Sequence, residues 1–147
     1  MIAIDTNLLV YAHKTGSPFH NTALEALQPV VEGRLPWAVP WPCAHEFVGV
    51  VTNLKIYKPA STLAEALAFL DSLFASANIH LLSEGPGYFE TLRQITTQAG
   101  VTGPRIHDAR IAALCLHHGV SELWSADRDF SAFPQLKVRN PLGQVRS

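Results

Sequence analysis

The chain begins Met1-Ile2-Ala3-Ile4-Asp5-Thr6-Asn7-Leu8-Leu9-Val10-Tyr11-Ala12. Its residues 2–4 have the composition of a short buried strand, and Asp5 places a carboxylate directly after them. In open α/β sheets the ligand crevice lies outside the carboxyl ends of the strands. This opening therefore predicts an α/β protein that carries an acidic group at its functional edge.

The rest of the chain alternates short β-rich runs with longer helical ones, which is the pattern of βαβ units and a mainly parallel sheet. Besides Ile2–Ile4, strands are predicted at Trp37–Val39, Ile79–Leu82, Leu123–Ser125 and Leu136–Arg139. Apolar residues at helical spacing predict helices over Pro18–Val31, Pro42–Leu54, Pro86–Ala99 and Ile106–His118. A capping box at Thr62-Leu63-Ala64-Glu65 opens a further helix that runs to about Ala75.

Composition limits the class of protein. With 147 residues, 48% hydrophobic and 16% charged, the chain has material for one core, and we expect a single domain over residues 1–147. No apolar run approaches the roughly 20 residues that cross a bilayer, so we expect a soluble, cytoplasmic protein with no membrane partner. Cys43 and Cys115 are too few and too far apart for a disulfide scaffold or a zinc site. The formal net charge of −1 means that any binding of nucleic acid must use a local site.

Four carboxylates are predicted to meet at one edge of the sheet. Asp5 and Asp127 follow the first and fourth strands, and Glu46 lies in the first turns of the helix after the second strand. Asp108 is expected to be half-buried, because it shares a helix face with apolar residues three, four, seven and eight positions later: Ile111, Ala112, Cys115 and Leu116. The helix dipole contributes only about 0.3 to 1 kcal/mol at such a position, so a cation should compensate Asp108.

A divalent cation is the expected partner of this acidic group. Two carboxylates about 4 Å apart repel by about 4 kcal/mol at an effective dielectric near 20. Oxygen-only ligands favour Mg²⁺ or Mn²⁺, and such a site is suited to metal-assisted hydrolysis of phosphodiesters. Taken singly, each acid has a structural alternative, and Asp129 in particular can cap a short turn at Phe130 or contact the metal. The shared placement of the acids favours the metal site.

These motifs resemble those of PIN-domain proteins, specifically the VapC-type toxins of bacterial toxin–antitoxin pairs. The resemblance covers essentially the whole chain and is carried, in order, by residues 5–12, Glu46, residues 107–113 (His-Asp-Ala-Arg-Ile-Ala-Ala) and residues 125–130 (Ser-Ala-Asp-Arg-Asp-Phe). It implies a three-layer α/β/α fold with a mainly parallel sheet of about five strands. It also implies an Mg²⁺- or Mn²⁺-dependent endoribonuclease that acts on RNA, forms a homodimer and is neutralised by a cognate antitoxin.

Carried over residue by residue, the resemblance implies specific roles. The catalytic acids are Asp5, Glu46, Asp108 and Asp127, of which Asp5, Asp108 and Asp127 bind the metal. Asp129 is an accessory acid. Two departures from the family pattern are a serine at Ser125, where threonine is common, and Trp124 in place of an aliphatic strand residue.

Some polar neighbours of these acids are further candidates. Thr6 and Asn7 can fix a water or orient Asp5, although capping of the next helix is an alternative. Ser125 keeps the family hydroxyl as an accessory group. Arg110 and Arg128 lie near the predicted pocket in sequence and can bind RNA phosphates, with a solvated surface position as the alternative.

Other classes of protein compete with this interpretation. A phosphatase of the haloacid dehalogenase kind needs an Asp-x-Asp pair after the first strand, and Asp5-Thr6-Asn7 supplies one carboxylate. A receiver domain needs an Asp after the third strand and a Lys after the fifth, which Leu82-Ser83 and Asn140-Pro141 do not provide. A housekeeping PIN-type nuclease and a non-catalytic module that binds RNA or an antitoxin both stay open.

Overall fold

In a computed structural model, which describes residues 1–143, five parallel strands form one sheet. The strands are β1 (Ile2–Ile4), β2 (Trp37–Pro40), β3 (Ile79–Leu82), β4 (Glu122–Trp124) and β5 (Val138–Arg139). The helices are α1 (Thr6–His13), α2 (His20–Glu32), α3 (Trp41–Val51), α4 (Leu63–Phe74), α5 (Tyr88–Ala99) and α6 (Ile106–His117). Short 3₁₀ segments lie at Gly103–Arg105 and Arg128–Ala132.

The order of the strands, β3-β2-β1-β4-β5, places β1 at the centre of the sheet. The chain moves outward from β1 to β3 through α1 to α4, and then crosses to the other side of β1 through α5 and α6. Because parallel crossovers are right-handed, this reversal places α1 to α4 on one face and α5 and α6 on the other. The helix contacts agree, since α1 packs on α2 and α3, whereas α5 packs on α6. The predicted three-layer α/β/α fold is confirmed.

Helix α1 is the element that apolar spacing did not predict. Four of its apolar side chains are buried, at Leu8, Leu9, Val10 and Ala12. A helix that is apolar around most of its circumference has no amphipathic period for a sequence pattern to show. Because α1 begins at Thr6, directly after β1, it holds the polar residues that follow Asp5 at the edge of the sheet.

Several element ends differ from the predicted ones by a few residues. Helix α3 ends at Val51 rather than Leu54, and the hydroxyl of Thr52 donates a 2.6 Å hydrogen bond back to the Val48 carbonyl. Helix α5 begins at Tyr88 rather than Pro86, because Gly87 before it has a left-handed φ of 89°. The other shifts are those of α2 to His20–Glu32, β2 to Trp37–Pro40, the first residue of α3 to Trp41, β4 to Glu122–Trp124, β5 to Val138–Arg139 and the last residue of α6 to His117.

The predicted capping box is present, and a glycine follows the end of α6. In the capping box, Glu65 N donates to Thr62 Oγ1 at 3.1 Å, and Thr62 N donates to Glu65 Oε1 at 3.0 Å. After α6, Gly119 has a φ of 69°, which is the conformation that favours glycine past a helix end. Within residues 1–143, no helix has both the length and the apolar composition for crossing a membrane.

Trp124 fits the central layer because its polar edge has a partner. The residue is 8% exposed, and its indole Nε1 donates a 2.7 Å hydrogen bond to Glu122 Oε1. The guanidinium carbon of Arg139 lies 5.4 Å from the centroid of the indole ring. An aromatic residue therefore replaces the expected aliphatic one without burying an unpaired N–H group.

We predict that Phe47→Ala lowers the free energy of unfolding by about 3 to 5 kcal/mol, the usual cost of removing a buried aromatic side chain. Phe47 is fully buried, with its ring centroid 5.0 Å from that of Phe69. Phe89→Ala is the matched control, because Phe89 is 62% exposed and its loss should cost about 0.5 kcal/mol or less. Urea denaturation followed by circular dichroism measures both, and equal losses would contradict this account of the core.

Candidate functional site

The four predicted acids, Asp5, Glu46, Asp108 and Asp127, line one pocket of about 210 Å³ at the carboxyl edge of the sheet. Asp5 and Asp127 follow the neighbouring strands β1 and β4, which are where the chain reverses its direction of travel across the sheet. A crevice opens at such a reversal because the flanking helices leave on opposite faces. Helix α3 brings Glu46 to this crevice from one face, and α6 brings Asp108 from the other.

Asp5 is the buried acid of the group, at 4% exposure. Its Oδ2 accepts hydrogen bonds from Ser125 Oγ at 2.6 Å and from Asn7 Nδ2 at 3.4 Å, and its Oδ1 accepts one from Cys43 Sγ at 3.4 Å. Burial raises the pKa of Asp5, although the hydrogen bond from Ser125 acts in the opposite direction. The carboxyl group is thus fixed in orientation and poorly hydrated.

Ser125 and Asn7 connect the ends of β1 and β4. The Ser125 hydroxyl donates to Asp5 and accepts from Asp127 N at 3.0 Å and Asn7 Nδ2 at 3.3 Å. These contacts use the one donor and both acceptor positions of a hydroxyl. Asn7 Oδ1 in turn accepts from Ala126 N at 3.2 Å. Both side chains therefore position the acids on the two strands relative to each other.

Three acids lie together on the open side of the pocket. One carboxylate oxygen from each of Asp108, Asp127 and Asp129 lies within 4.8 Å of the other two. Asp127 Oδ1 also accepts a 2.8 Å hydrogen bond from Asp129 N, so Asp127 caps the 3₁₀ segment that follows it. Asp129 was expected either to cap this turn or to contact the metal. Asp127 caps the turn instead, and the exposed carboxylate of Asp129 lies next to those of Asp108 and Asp127.

Burial and like charges raise the pKa of two further acids. Burial is the largest cause for Asp108, with additions from Asp127, Asp129 and Asp5, and Arg105 acts in the opposite direction. The side chain of Glu46 is exposed overall, but loss of hydration at its carboxyl group raises its pKa, and the nearby Asp5 adds to this. Both shifts are in the direction expected for carboxyl groups that lose hydration next to other negative charges.

No basic side chain of residues 1–143 neutralises Asp108 by direct contact. Among residues 1–143, none of the ion pairs includes Asp108, and Arg105 acts on it only through its field. The described part of the chain therefore offsets the negative charge of Asp108 only in part. Partly buried acids that lack a cationic partner are stabilised when a cation binds to them.

Among residues 1–143, the hydroxyl oxygen of Thr6 is a buried side-chain atom without a hydrogen-bond partner. The residue is 5% exposed and lines the pocket. Its hydroxyl is near enough to lower the pKa of Glu46, yet Thr6 Oγ1 forms no hydrogen bond of ordinary geometry with the residues described. An unpaired buried hydroxyl costs about 1 to 3 kcal/mol, so this atom has capacity for a water or a ligand oxygen.

The chemistry of the donors fits a hard divalent cation. The pocket presents carboxylate, hydroxyl and amide oxygens, which are the ligands of Mg²⁺ and Mn²⁺. Cys43 contacts Asp5, but burial raises the pKa of its thiol well above the usual range. It therefore stays protonated, and a protonated thiol is not a metal ligand.

Other side chains of the pocket were missed by sequence reasoning. Tyr11 belongs to the opening motif but received no role, and Tyr57 lies in the connection from α3 to α4, where no local pattern marks it. Cys43 does not line the pocket but contacts Asp5, and it could have been found from its spacing, because it precedes Glu46 by three residues on the same helix. The remaining apolar lining residues are Val10, Val50 and Ile111.

The two predicted RNA-contacting arginines lie in different places. Arg110 Nε lies 3.1 Å from Glu84 Oε1 at the surface, and Arg110 lines a cleft that also includes Glu46 and Asp108. Arg128 is exposed and lines a larger cavity beside Asp127. Within residues 1–143 no ion pair includes Arg128.

Comparison with known proteins identifies the family of the chain. Residues 2–136 match the PIN domain. The chain belongs to the PIN-domain family. Among relatives of this PIN domain, Ribonuclease VapC31 of Mycobacterium tuberculosis is 31% identical over 143 residues, which cover 97% of this chain and 100% of the relative. The predicted family membership is confirmed.

Solved structures share the fold of this PIN domain at low sequence identity. VapC20 of Mycobacterium tuberculosis, described as a Sarcin-Ricin loop cleaving toxin, has a TM-score of 0.65 and 17% identity, over 90% of this chain and 94% of that one. VapBC2 of Rickettsia felis, solved bound to a DNA fragment from their promoter, has a TM-score of 0.62 and 20% identity, over 95% and 98% of the two chains.

We predict that Asp108→Asn raises the melting temperature of this PIN domain at neutral pH in the absence of divalent metal. The pKa of Asp108 is raised on folding, so the folded state loses stability as the pH rises from the unfolded pKa through the folded one. The variant removes this loss, and its advantage should disappear below about pH 4, where the unfolded carboxyl is also protonated.

Calorimetry in EDTA across this pH range measures the effect. Glu25→Gln, at an exposed position of α2, is the matched control and should leave the pH dependence of the melting temperature unchanged. A lower melting temperature for Asp108→Asn at neutral pH would show that the acidic group does not destabilise the metal-free fold.

Proposed function

We propose that this PIN domain is a divalent-metal-dependent endoribonuclease that acts as the toxin of a type II toxin–antitoxin pair in the cytoplasm. The observation that carries the proposal is the convergence of Asp5, Glu46, Asp108 and Asp127 in one pocket. The match to Ribonuclease VapC31 over nearly the whole length of both chains supports it. Residues 1–147 are proposed to act as a single domain.

Mg²⁺ or Mn²⁺ would be held by Asp5, Asp108 and Asp127, with Asp129 in reach as an accessory acid. When bound, such a cation lowers the pKa of a water and offsets the charge that develops on the phosphate. It would also remove the mutual repulsion of the acids, which is about 4 kcal/mol for a pair 4 Å apart at an effective dielectric near 20.

The remaining groups of the pocket have roles that follow from their contacts. Ser125 and Asn7 hold the Asp5 carboxylate in one orientation, so that its free lone pairs keep a fixed direction relative to the other acids. Glu46 has a raised pKa and solvent access, which suit a group that accepts the proton of the attacking water. The unpaired Thr6 hydroxyl would hold that water or a phosphate oxygen.

Two protein partners are part of the proposal. Four large apolar side chains are exposed on α4 and in the connection before it, Leu54, Ile56, Leu63 and Leu67, at 46% to 69% exposure. Exposed apolar surface of this kind marks interfaces, and we assign it to a homodimer. A cognate antitoxin would inhibit the enzyme by placing a basic side chain among the carboxylates, where it replaces the charge of the cation.

We predict that the purified protein cleaves RNA with Mg²⁺ or Mn²⁺ and not in EDTA. Asp5→Asn and Asp108→Asn should each lower kcat/KM by at least about a hundredfold, the usual loss when a principal electrostatic contributor is removed. Ca²⁺ should bind but support cleavage poorly, because its looser coordination positions water and phosphate less well.

Cleavage of total RNA, followed by mapping of the new ends, gives the activity, and titration calorimetry with Mn²⁺ gives the binding. Glu25→Gln is again the control, since its carboxylate is exposed on α2 and does not line the pocket. Undiminished cleavage in EDTA would exclude the proposed mechanism.

A separate prediction concerns the partners. Light scattering should give the mass of a dimer, and Leu67→Lys should shift it to a monomer because a charge would then lie in an apolar interface. Leu35→Lys is the control, at a side chain that is 79% exposed in the connection from α2 to β2.

Expression of the intact protein should arrest growth, and expression of Asp5→Asn should not. A small protein encoded by the adjacent gene should abolish both the arrest and the RNA cleavage when it is co-expressed. Cleavage without growth arrest would instead indicate a housekeeping nuclease, and absence of both would indicate a binding module.

A further inference from the structure

A cavity of about 970 Å³ adjoins the acidic pocket. Tyr11 and Asp127 line both of them, so the two spaces lie side by side. We propose that this cavity binds the unpaired nucleobase next to the cleaved phosphate, with Tyr11 and Phe19 as the stacking surface. The proposal rests on the ribonuclease function proposed above and names the part of the substrate that the neighbouring surface recognises.

The aromatic pair has the arrangement that a nucleobase needs. The ring centroids of Tyr11 and Phe19 lie 5.1 Å apart with an angle of 47° between their planes, and both residues are half-buried. Each ring is therefore held in place by its neighbour and still keeps accessible surface. Proteins bind single-stranded nucleic acid by stacking bases on aromatic side chains of this kind.

The rest of the cavity separates into an apolar floor and a polar rim. Phe130, Phe133 and Leu136 form the floor and are buried. Ser131 and Asn140 line the cavity and are exposed, so their side chains can bond to the polar edge of a base. A flat ligand with apolar faces and a hydrogen-bonding edge matches this division.

Arg128 adds the charge that distinguishes a nucleotide from an apolar peptide. It is exposed, lines the same cavity and directly follows Asp127, and within residues 1–143 it takes part in no ion pair. A guanidinium at this position fits a phosphate on the strand that carries the stacked base. The protein as a whole has a net charge of −1, so local recognition of this kind has to replace long-range attraction.

The position of Tyr11 explains how one nucleotide reaches both sites. Because Tyr11 lines the acidic pocket as well as the cavity, a phosphate at the carboxylates has its own base at the aromatic pair. A base inside a duplex is already paired and stacked and cannot enter. The cavity should therefore restrict cleavage to unpaired segments of RNA and contribute to the choice of cleavage site.

The test uses a single-stranded RNA oligonucleotide that contains a mapped cleavage site, together with versions that carry an abasic ribose on one or the other side of the cleaved bond. With the parent protein and Mn²⁺, we expect one of the two abasic versions to lose about fivefold to a hundredfold in kcat/KM, the range for one lost stacking contact. Tyr11→Ala should show a similar loss on the intact oligonucleotide and no further loss on the abasic one.

Two further variants and a control separate stacking from folding. Tyr11→Phe keeps the ring and should keep most of the difference in kcat/KM between the intact and abasic oligonucleotides. Ser131→Trp changes an exposed residue and places a bulky ring in the cavity. It should reduce the difference in kcat/KM between the intact and abasic oligonucleotides even if Tyr11→Ala proves unstable. Phe89→Ala, on exposed α5, should behave like the parent protein.

The outcomes distinguish this proposal from the one on which it rests. If the parent protein cleaves no RNA, the ribonuclease function itself is wrong. If it cleaves RNA and neither abasic version is cleaved more slowly, the nucleobase site is wrong and the nuclease stands. If Ser131→Trp leaves this difference in kcat/KM intact but prevents binding of the co-expressed partner protein, the cavity is a peptide site and the proposal is overturned.

Discussion

The hydrogen bond from Ser125 to Asp5, 2.6 Å long, joins the ends of β1 and β4, and the acidic pocket is organised around it. These two strands lie where the chain reverses its travel across the sheet, so the crevice is a product of topology. Helices α3 and α6 start at the same edge and bring Glu46 and Asp108 to it from opposite faces. Groups held in this way move little, because they sit on strand ends and helix starts and not on long loops.

This gathering of acids has a stability cost that the fold does not remove. The pKa values of Asp5, Glu46 and Asp108 are all raised, and the hydroxyl of Thr6 has no partner among the described residues. Such unfavourable arrangements concentrate where function requires them. A bound cation and a basic side chain from a protein partner would relieve the same repulsion, so the two would exclude each other. Under the proposed function, activation and inhibition of the pocket would thus have one electrostatic basis.

Local patterns predicted much of this molecule, and their failures have physical reasons. Asp108 was predictable because a carboxylate on an apolar helix face has no ordinary structural explanation, and the acids after β1 and β4 followed from strand polarity. Helix α1 was not predicted, because a helix buried on most sides has no periodicity. Tyr57 was not predictable, because only tertiary packing brings the loop after α3 to the pocket. The capping contact from Asp129 N to Asp127 depends on backbone geometry that residue types alone do not determine.

The two thiols under the pocket give the unmodified chain an internal probe of its own opening. Cys43 and Cys115 are fully buried, and burial raises the pKa of both thiols, that of Cys115 to about 12. A maleimide reacts with the thiolate of an accessible cysteine, so labelling has to wait until α3 or α6 separates from the sheet. The labelling rate therefore reports the frequency of that separation. Any ligand that binds only the closed pocket would slow it, and its affinity could be measured without RNA and without turnover.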